Sequence, residues 1–318
     1  MQEPLISIVI PVYNGSDYMR EAIDSALAQT YKNIEVLVIN DGSTDGGATD
    51  QIASSYGDKI RYFSKENGGV SSALNYGIRN MRGEYFSWLS HDDVYETDKI
   101  EKQVAALNAS NLPSDTLVCC SYMHIDKFSN ALSGVAPESS FKVGCVYDSK
   151  TVLARLLRKA TLNGCCLLIP RAVFEECGIF DERFRFCQDA LMWYQIFLKG
   201  YSLLYIDNVL VKNRIHSGQL TQTGQALFKK ECCQISYLLV KEFAAISTSE
   251  NNFLKMYLMS DSRYLGFKRV REILNYGRQL DLISFVDTLC VCLICAYGYL
   301  RPFIRKIYYA TIRKMRTT

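Results

Sequence analysis

The stretch YFSWLSHDD, residues 85–93, decides the fold because it leads an apolar run directly into two adjacent carboxylates. Tyr85–Ser90 is typical of a buried strand in a parallel sheet. Ligands of open α/β sheets bind beyond the carboxyl ends of such strands, where Asp92 and Asp93 are expected to lie. The two carboxylates repel each other, and a divalent cation relieves that repulsion. An all-oxygen site suits Mg²⁺ or Mn²⁺, while an Asp-rich cap of a helix beginning near Asp98 is the alternative.

Three strand-and-helix units precede this stretch. The predicted strands cover 5–12, 34–39 and 60–63, and the predicted helices cover 17–29, 47–56 and 70–81. Such alternation predicts a parallel sheet with right-handed crossovers. The first turn lacks the G-x-G-x-x-G phosphate loop of a dinucleotide fold. Polar residues instead follow the first, second and fourth strands, and a strand order of 3-2-1-4 would bring them to one crevice suited to a nucleotide.

The second half of the sequence is less regular. The predicted helices here cover 98–108, 171–177 and 188–199, and the predicted strands cover 116–122, 162–170 and 201–206. Residues 129–149 are interpreted as a loop over the site. Gly164 is expected to allow a close backbone approach, and residues 214–217 form a polar segment. Beyond Gln222 the pattern is helical to Leu282.

Composition and charge narrow the class of protein. The chain has 318 residues, 48% of them hydrophobic and 22% charged, so it can bury a sizeable core. Six of the 36 basic residues lie in 301–318, so residues 1–300 carry 30 basic against 33 acidic residues. Because the basic charge is confined to a tail without a recognisable module, we expect no nucleic-acid partner. The 12 cysteines show no disulfide or zinc spacing, and the first residues show no secretory signal, so a cytoplasmic location is predicted.

The C-terminal residues form a candidate membrane-associating segment. Leu282–Leu300 is an apolar segment whose length is near the minimum for a membrane span. It carries one charge, Asp287. After Pro302 the spacing predicts a basic amphipathic helix, which favours an anionic membrane surface as a partner. A core helix followed by a solvated basic end is the alternative.

The polar clusters occur in an order that resembles the family-2 glycosyltransferases. The matching segments lie between about residues 5 and 220 and are Pro11–Asn14, Asn40–Asp45, Glu66–Gly69, Leu89–Asp93, Gly178–Glu182 and Gln188–Asp189. The sequence departs from the family's usual residues at Asn40, at Gln188 and at Ser90-His91. The resemblance implies an α/β GT-A fold, which is a Rossmann-like mixed sheet flanked by helices. Residues 1–222 would form this domain, and residues 223–318 would form a helical C-terminal extension.

The resemblance also implies roles for the strand-end residues. Asp41 would accept a hydrogen bond from the nucleotide base, most readily from N3–H of uracil or thymine, although it could instead only stabilise its turn. Asp92 would touch the ribose or the metal, and Asp93 would ligate Mn²⁺ or Mg²⁺ on the diphosphate. Four further residues would complete the nucleotide site: Pro11, Tyr13, Asn14 and Asn67.

Three residues of the second half receive roles from the same resemblance. Asp189 is the candidate general base, because an inverting transfer needs one carboxylate to take the proton of the acceptor hydroxyl. The alternative is an acidic residue favoured by the helix dipole. His216 would complete the metal site or remain a loop histidine. Arg214 would pair with the diphosphate. From their helix spacing, Trp193 and Tyr194 are expected to pack in the core, and an aromatic platform for the acceptor sugar is the alternative.

The resulting hypothesis is a metal-dependent inverting glycosyltransferase. It would move a sugar from a nucleotide sugar, a UDP-sugar most readily, to a hydroxyl of a lipid- or protein-linked glycan for cell-surface polysaccharide or glycoprotein synthesis. It would act at the inner face of the cell membrane. A sugar nucleotidyltransferase is one alternative, although its Gly-rich basic loop is replaced here by Val12–Ser16. A non-catalytic glycan- or nucleotide-binding scaffold subunit is the other.

Overall fold

The computed structural model describes residues 3–109, 115–132, 141–142, 144–157, 161–219, 225–246 and 274–275. The chain divides into two compact units. The first contains Met1–Leu156 and Ala160–Gly224, and the second contains Leu157–Lys159 and Gln225–Thr318. The apolar segment 282–300 and the basic tail that follows it lie outside the described residues. Within the described part, no helix combines the length and the hydropathy that a membrane crossing requires.

Within the described residues, the first unit is a nine-stranded mixed sheet flanked by helices, which confirms the predicted α/β class. Its strands are β1 Ile6–Val12, β2 Ile34–Asn40, β3 Arg61–Ser64, β4 Tyr85–Trp88, β5 Val94–Tyr95, β6 Thr116–Ile125, β7 Cys145–Tyr147, β8 Leu167–Pro170 and β9 Ser202–Arg214. Its helices are α1 Met19–Leu27, α2 Ala48–Ser54, α3 Val70–Asn80, α4 Lys99–Ala109, α5 Ser149–Leu157, α6 Ala172–Cys177 and α7 Gln188–Leu198. The second unit contains α8, Gln225–Ala245.

The strand order confirms the predicted crevice. Along the sheet the strands run β3-β2-β1-β4-β8-β6-β9-β5, and β7 pairs with β9. β1 is parallel to β2 and β4, and β6 is parallel to β9. β8 lies between the parallel group that ends at β4 and the parallel pair β6 and β9, and it is antiparallel to both β4 and β6. The carboxyl ends of β1, β2, β4, β6 and β9 therefore meet at one edge of the sheet, called the carboxyl edge below.

Hydrophobic periodicity explains why the first half was predictable. Every residue of β1 is buried, as expected for a strand covered on both faces. α1 buries one face, on which Met19, Ala22, Ile23 and Ala26 follow at spacings of three and four residues against the core. Gly164 lies so close to Trp88 that a Cβ there would be 2.3 Å from the indole ring. This confirms the predicted close approach.

Three predictions for the second half were wrong. The strand predicted over 201–206 continues to Arg214, because the chain passes through an irregular exposed stretch at 207–209 and then resumes pairing with β6. Within the predicted loop 129–149, the described residues include β7, which pairs with β9. The predicted strand 162–170 keeps only its last four residues, since Gly164–Cys166 forms a 3₁₀ turn.

Candidate functional site

The loops after β1 and β2 are joined by Asn14. Its backbone N–H donates to the Ser43 hydroxyl at 2.9 Å, and its side-chain oxygen accepts from the Thr44 N–H at 2.7 Å. Asn14 has a φ of 50°, which asparagine tolerates better than most residues. Pro11 is buried and Tyr13 is exposed. Of the residues predicted to bind the nucleotide, Tyr13 and Asn14 therefore lie on a turn at the carboxyl edge, and Pro11 lies at the end of β1.

Asp41 follows β2 and is buried among hydrogen-bond donors. One carboxylate oxygen accepts from the Lys65 ammonium at 2.6 Å and from the Gly68 N–H at 3.0 Å. The other accepts from the Gly69 N–H at 2.7 Å. Gly69 directly precedes α3, so the carboxylate caps that helix as well as lying in the crevice. Lys65 was not predicted, because only the folded turn brings it to Asp41.

Asn67 connects the loop after β3 to the loop after β2. Its amide donates to the Asp41 backbone carbonyl at 2.8 Å. On the other side, Gly42 has a φ of +70°, and a Cβ there would be 2.6 Å from the Asn67 nitrogen. A side chain at position 42 is therefore excluded both by backbone conformation and by space.

Asp93 is 2% exposed and is held by donors from two distant parts of the chain. It accepts from the Asn213 amide at 3.0 Å, from the Arg214 N–H at 2.9 Å and from the Cys165 thiol at 3.3 Å. Burial, and then the charge of neighbouring Asp92, raise the pKa of Asp93 to about 7. The carboxylate that was predicted to bind metal is thus engaged inside the protein.

Asp92 lies beside His216 at the surface of the same edge. One Asp92 carboxylate oxygen is 3.1 Å from His216 Nε2, and their side chains are 14% and 18% exposed. The Gln219 amide donates to the same oxygen at 3.3 Å. The ring of Tyr18 lies 5.1 Å from the imidazole and limits its movement. β4 and β9 therefore bring a carboxylate and an imidazole together from 124 residues apart.

Arg214, the last residue of β9, is 1% exposed and all its contacts are internal. Its guanidinium donates to the Asp92 carbonyl at 2.8 Å, to Glu21 at 2.6 Å and to the Ser129 hydroxyl at 2.9 Å. It also lies 4.6 Å from the centre of the Tyr18 ring. This placement favours a role in positioning Asp92 over the predicted contact with a diphosphate.

Asp189 opens α7 and keeps free acceptor capacity. In the described structure its carboxylate accepts two local backbone N–H groups, that of Ala190 at 2.7 Å and its own. Burial raises the pKa of Asp189 to about 6. A carboxyl group whose pKa lies near neutrality is suited to accept a proton from a substrate.

Aromatic packing places α7, the helix that Asp189 opens, beside the end of β4. Trp193, one turn later on the same helix face, is buried as predicted. It packs edge-on against Phe180 at 6.2 Å, and Phe180 packs edge-on against Trp88, the last residue of β4, at 6.0 Å. The segment before α7 is also fixed to α3, since Ser71 donates to the Phe184 carbonyl at 3.1 Å.

Comparison with known proteins identifies the class. Residues 7–178 match the family model described as Glycosyl transferase family 2. The match covers more than half of the chain. This chain belongs to glycosyltransferase family 2, and it is a glycosyltransferase.

Bacterial relatives agree with this identification. An uncharacterized glycosyltransferase of Rickettsia felis is 47% identical over 285 residues, covering 88% of this chain and 45% of that protein. One from Rickettsia typhi is 44% identical and covers 83% of this chain and 87% of its own length. Glycosyltransferase GlyA of Streptococcus pneumoniae is 29% identical and covers 95% and 45%. The chain therefore spans less than half of the R. felis protein and of GlyA.

Solved structures show the same fold. TarS of S. aureus superposes with a TM-score of 0.68 at 15% identity, covering 92% of this chain and 52% of TarS. TarS 1–349 in complex with UDP-GlcNAc gives a TM-score of 0.60 at 16% identity and covers 92% of each chain. The GT-A-like architecture is therefore shared at a sequence identity of only 15–16%.

Proposed function

We propose that the protein is a metal-dependent inverting glycosyltransferase that moves a sugar from a UDP-sugar to a hydroxyl of a glycan acceptor. The observation that carries the proposal is the 3.1 Å pair of Asp92 and His216 at the carboxyl edge. On the same edge lies the buried Asp41 carboxylate, and α7, which opens with Asp189, packs beside the end of β4. Together these groups offer a base-binding acceptor, a metal site and a proton acceptor.

Asp92 and His216 fit a divalent cation better than Asp93 does. A carboxylate oxygen and an imidazole nitrogen suit Mn²⁺, and the pair is partly open to solvent. In the described residues no group of three His, Cys, Asp or Glu side chains converges on one point, so the protein alone does not complete a site. A cation that takes its remaining ligands from a diphosphate and water needs no third side chain. Bound there, the ion would neutralise the charge of the departing diphosphate.

Asp41 is proposed to read the nucleotide base. Its Oδ2 atom accepts one hydrogen bond, from Gly69, and so retains a second acceptor position for a uracil N3–H. Asn14, Tyr13 and Asn67 lie on the two loops that border it and are proposed to line the nucleotide site. Crystal structures of TarS 1–349 in complex with UDP and with UDP-GlcNAc support this choice of donor.

Asp189 is proposed as the general base. It takes the proton of an acceptor hydroxyl as that oxygen forms a bond to the anomeric carbon. The bond between that carbon and the diphosphate oxygen breaks in the same step, and both of its electrons leave with UDP. No nucleophile of the enzyme is required, so the anomeric configuration inverts.

The proposed acceptor and site of action follow from the same hypothesis. A lipid- or protein-linked glycan supplies the hydroxyl, and the inner face of the cell membrane is the proposed site of action. The excess of basic residues in 301–318 supports attraction to anionic lipids.

Slow hydrolysis of the UDP-sugar, in which water takes the place of the acceptor, tests the proposal. The purified protein is incubated with Mn²⁺ and UDP-glucose, UDP-galactose or UDP-GlcNAc, and the released sugar is followed by proton NMR before it equilibrates. We expect UDP release and a first-formed β-anomer from the α-linked donor, with Asp92→Asn inactive and Asp58→Asn, an exposed control, unchanged. A first-formed α-anomer would contradict inversion. Folded protein that releases no UDP from any donor would contradict the donor assignment.

A further inference from the structure

The loop after β6, residues 126–130, exposes a large aromatic side chain at the carboxyl edge. Phe128 is 72% exposed, the highest value for a large hydrophobic side chain in the described residues. β6 runs parallel to β9 with Ile125 beside Arg214, so the loop emerges next to the segment that carries His216. Contact of a whole phenyl ring with water is unfavourable, and a ligand that covers the ring would remove that contact.

The loop is held in one conformation by its own hydrogen bonds. The Asp126 carboxylate accepts the N–H groups of Phe128 at 2.8 Å and Asn130 at 2.9 Å, and Asp126 N–H donates to the Asn130 carbonyl at 2.9 Å. Ser129 adopts a φ of +66°, which non-glycine residues rarely do. A rigid loop binds a ligand at a lower entropic cost than a mobile one.

Arg214 connects this loop to the proposed metal pair. Its guanidinium donates to the Asp126 carbonyl at 3.1 Å and to the Ser129 hydroxyl at 2.9 Å. The same guanidinium donates to the Asp92 carbonyl at 2.8 Å. Ser129 also donates to Glu21 at 2.9 Å, which fixes the loop to α1. One buried cation therefore sets the position of Phe128 relative to Asp92.

The surroundings of the ring indicate the chemistry of its ligand. The Lys127 ammonium lies 4.8 Å from the centre of the Phe128 ring and occupies one face. The other face is a flat apolar surface beside a charged donor. A pyranose has the complementary pattern, because its axial C–H groups form an apolar face and its hydroxyls accept hydrogen bonds from an ammonium.

We infer that Phe128 is the platform on which a sugar ring of the glycan acceptor stacks. The inference rests on the proposed transferase function, since it assigns the acceptor side of that reaction. It makes Phe128 a specificity residue that contacts the acceptor and leaves the nucleotide site untouched.

Saturation-transfer NMR tests the inference with methyl pyranosides as probes. The wild-type protein, with UDP and Mn²⁺, is titrated with the methyl glycosides of glucose, galactose, N-acetylglucosamine and rhamnose. We expect at least one glycoside to bind, and its Kd to rise about tenfold in Phe128→Ala and in Phe128→Leu, which keeps bulk but lacks a ring. Phe128→Trp keeps a stacking face, so its Kd stays within about threefold. Val146→Ala, an exposed apolar control on β7, leaves the Kd unchanged.

The outcomes separate this inference from the proposed function. Wild-type protein that binds no glycoside overturns the stacking platform, as does equal affinity in the wild type and both ring-deleting variants. A calorimetric titration of UDP on the same samples is expected to be unchanged by every Phe128 variant. Wild-type protein that binds glycosides but not UDP contradicts the proposed donor and leaves the platform supported.

Discussion

Asp93 and Asp189 are two carboxyl groups with raised pKa values in very different surroundings. Asp93 is 2% exposed and accepts hydrogen bonds from Asn213, Arg214 and Cys165. In the described structure, Asp189 accepts only local backbone N–H groups, from Ala190 and from its own residue. Burial is the first cause of the shift in both, and the charge of Asp92 adds to it only for Asp93.

The difference shows that a raised pKa alone does not identify a catalytic group. A carboxylate saturated by protein donors fixes the segments that supply those donors, here the ends of β4 and β9. A carboxylate with unused lone pairs can accept a proton from a substrate. We therefore expect substitution at Asp93 to affect stability and substitution at Asp189 to affect the rate of transfer.

The largest expected effect is the loss of activity in Asp189→Asn. The amide has the same shape but cannot take the acceptor proton, so kcat should fall by about 10²- to 10⁴-fold. UDP affinity, measured by calorimetry, should remain within about twofold. Transfer at the wild-type rate by Asp189→Asn would remove Asp189 from the reaction.

Substitution of Asp93, the other carboxylate of the comparison, should lower the free energy of unfolding. Asp93→Ala leaves the half-buried Asn213 amide and the buried Arg214 N–H without their acceptor, while it relieves repulsion with Asp92. The unpaired donors outweigh that relief, and urea denaturation should show a free energy of unfolding lower by about 2 kcal/mol. The exposed control Asp58→Ala should change it by less than about 0.5 kcal/mol. Equal stability of the two variants would contradict the organising role of Asp93.

The pH dependence of transfer sharpens the same comparison. The pKa of Asp189 is raised to about 6, so the carboxylate is ionised above that pH and increasingly protonated below it. The logarithm of kcat/KM should be level from about pH 6.5 to 8 and fall by up to tenfold per unit below about pH 6. The residual activity of Asp189→Asn should lack this acid limb. Persistence of the limb in that variant would assign it to another group.

The smallest expected effect concerns Asp41, which like Asp93 is a buried carboxylate with protein donors. Lys65→Met removes its 2.6 Å ammonium partner but leaves the Gly68 and Gly69 N–H donors. The Kd for UDP should rise by about three- to fivefold, as expected for a partly exposed ion pair. Lys59→Met, an exposed control, should bind UDP like the wild type.

Sequence periodicity predicted the half of the sheet whose strands are continuous apolar runs. Ile34–Asn40 and Tyr85–Trp88 are buried on both faces, and their polar ends mark the carboxyl edge directly. It could not predict the two-residue strand β5. It also ended β9 too early, because Asp207 and Asn208 resemble a turn although pairing resumes after them.

The sequence indicated which residues form the candidate site, but not which residues each of them contacts. Asp92, Asp93 and His216 were identified, yet their pairing depends on contacts across more than 100 residues. Arg214 was predicted to contact a diphosphate, because the sequence alone does not show whether an arginine is buried or exposed. Its acceptors, Glu21 and Ser129, come from elements that only the folded sheet brings together.

The most direct test of the account is a calorimetric titration of UDP with and without Mn²⁺. We predict that Mn²⁺ strengthens UDP binding by at least about tenfold in the wild type. Asp92→Asn and His216→Ala should bind UDP equally with and without the ion, at the metal-free affinity of the wild type. UDP binding that is unaffected by Mn²⁺ in the wild type, or a full metal response in both variants, would contradict the Asp92–His216 site.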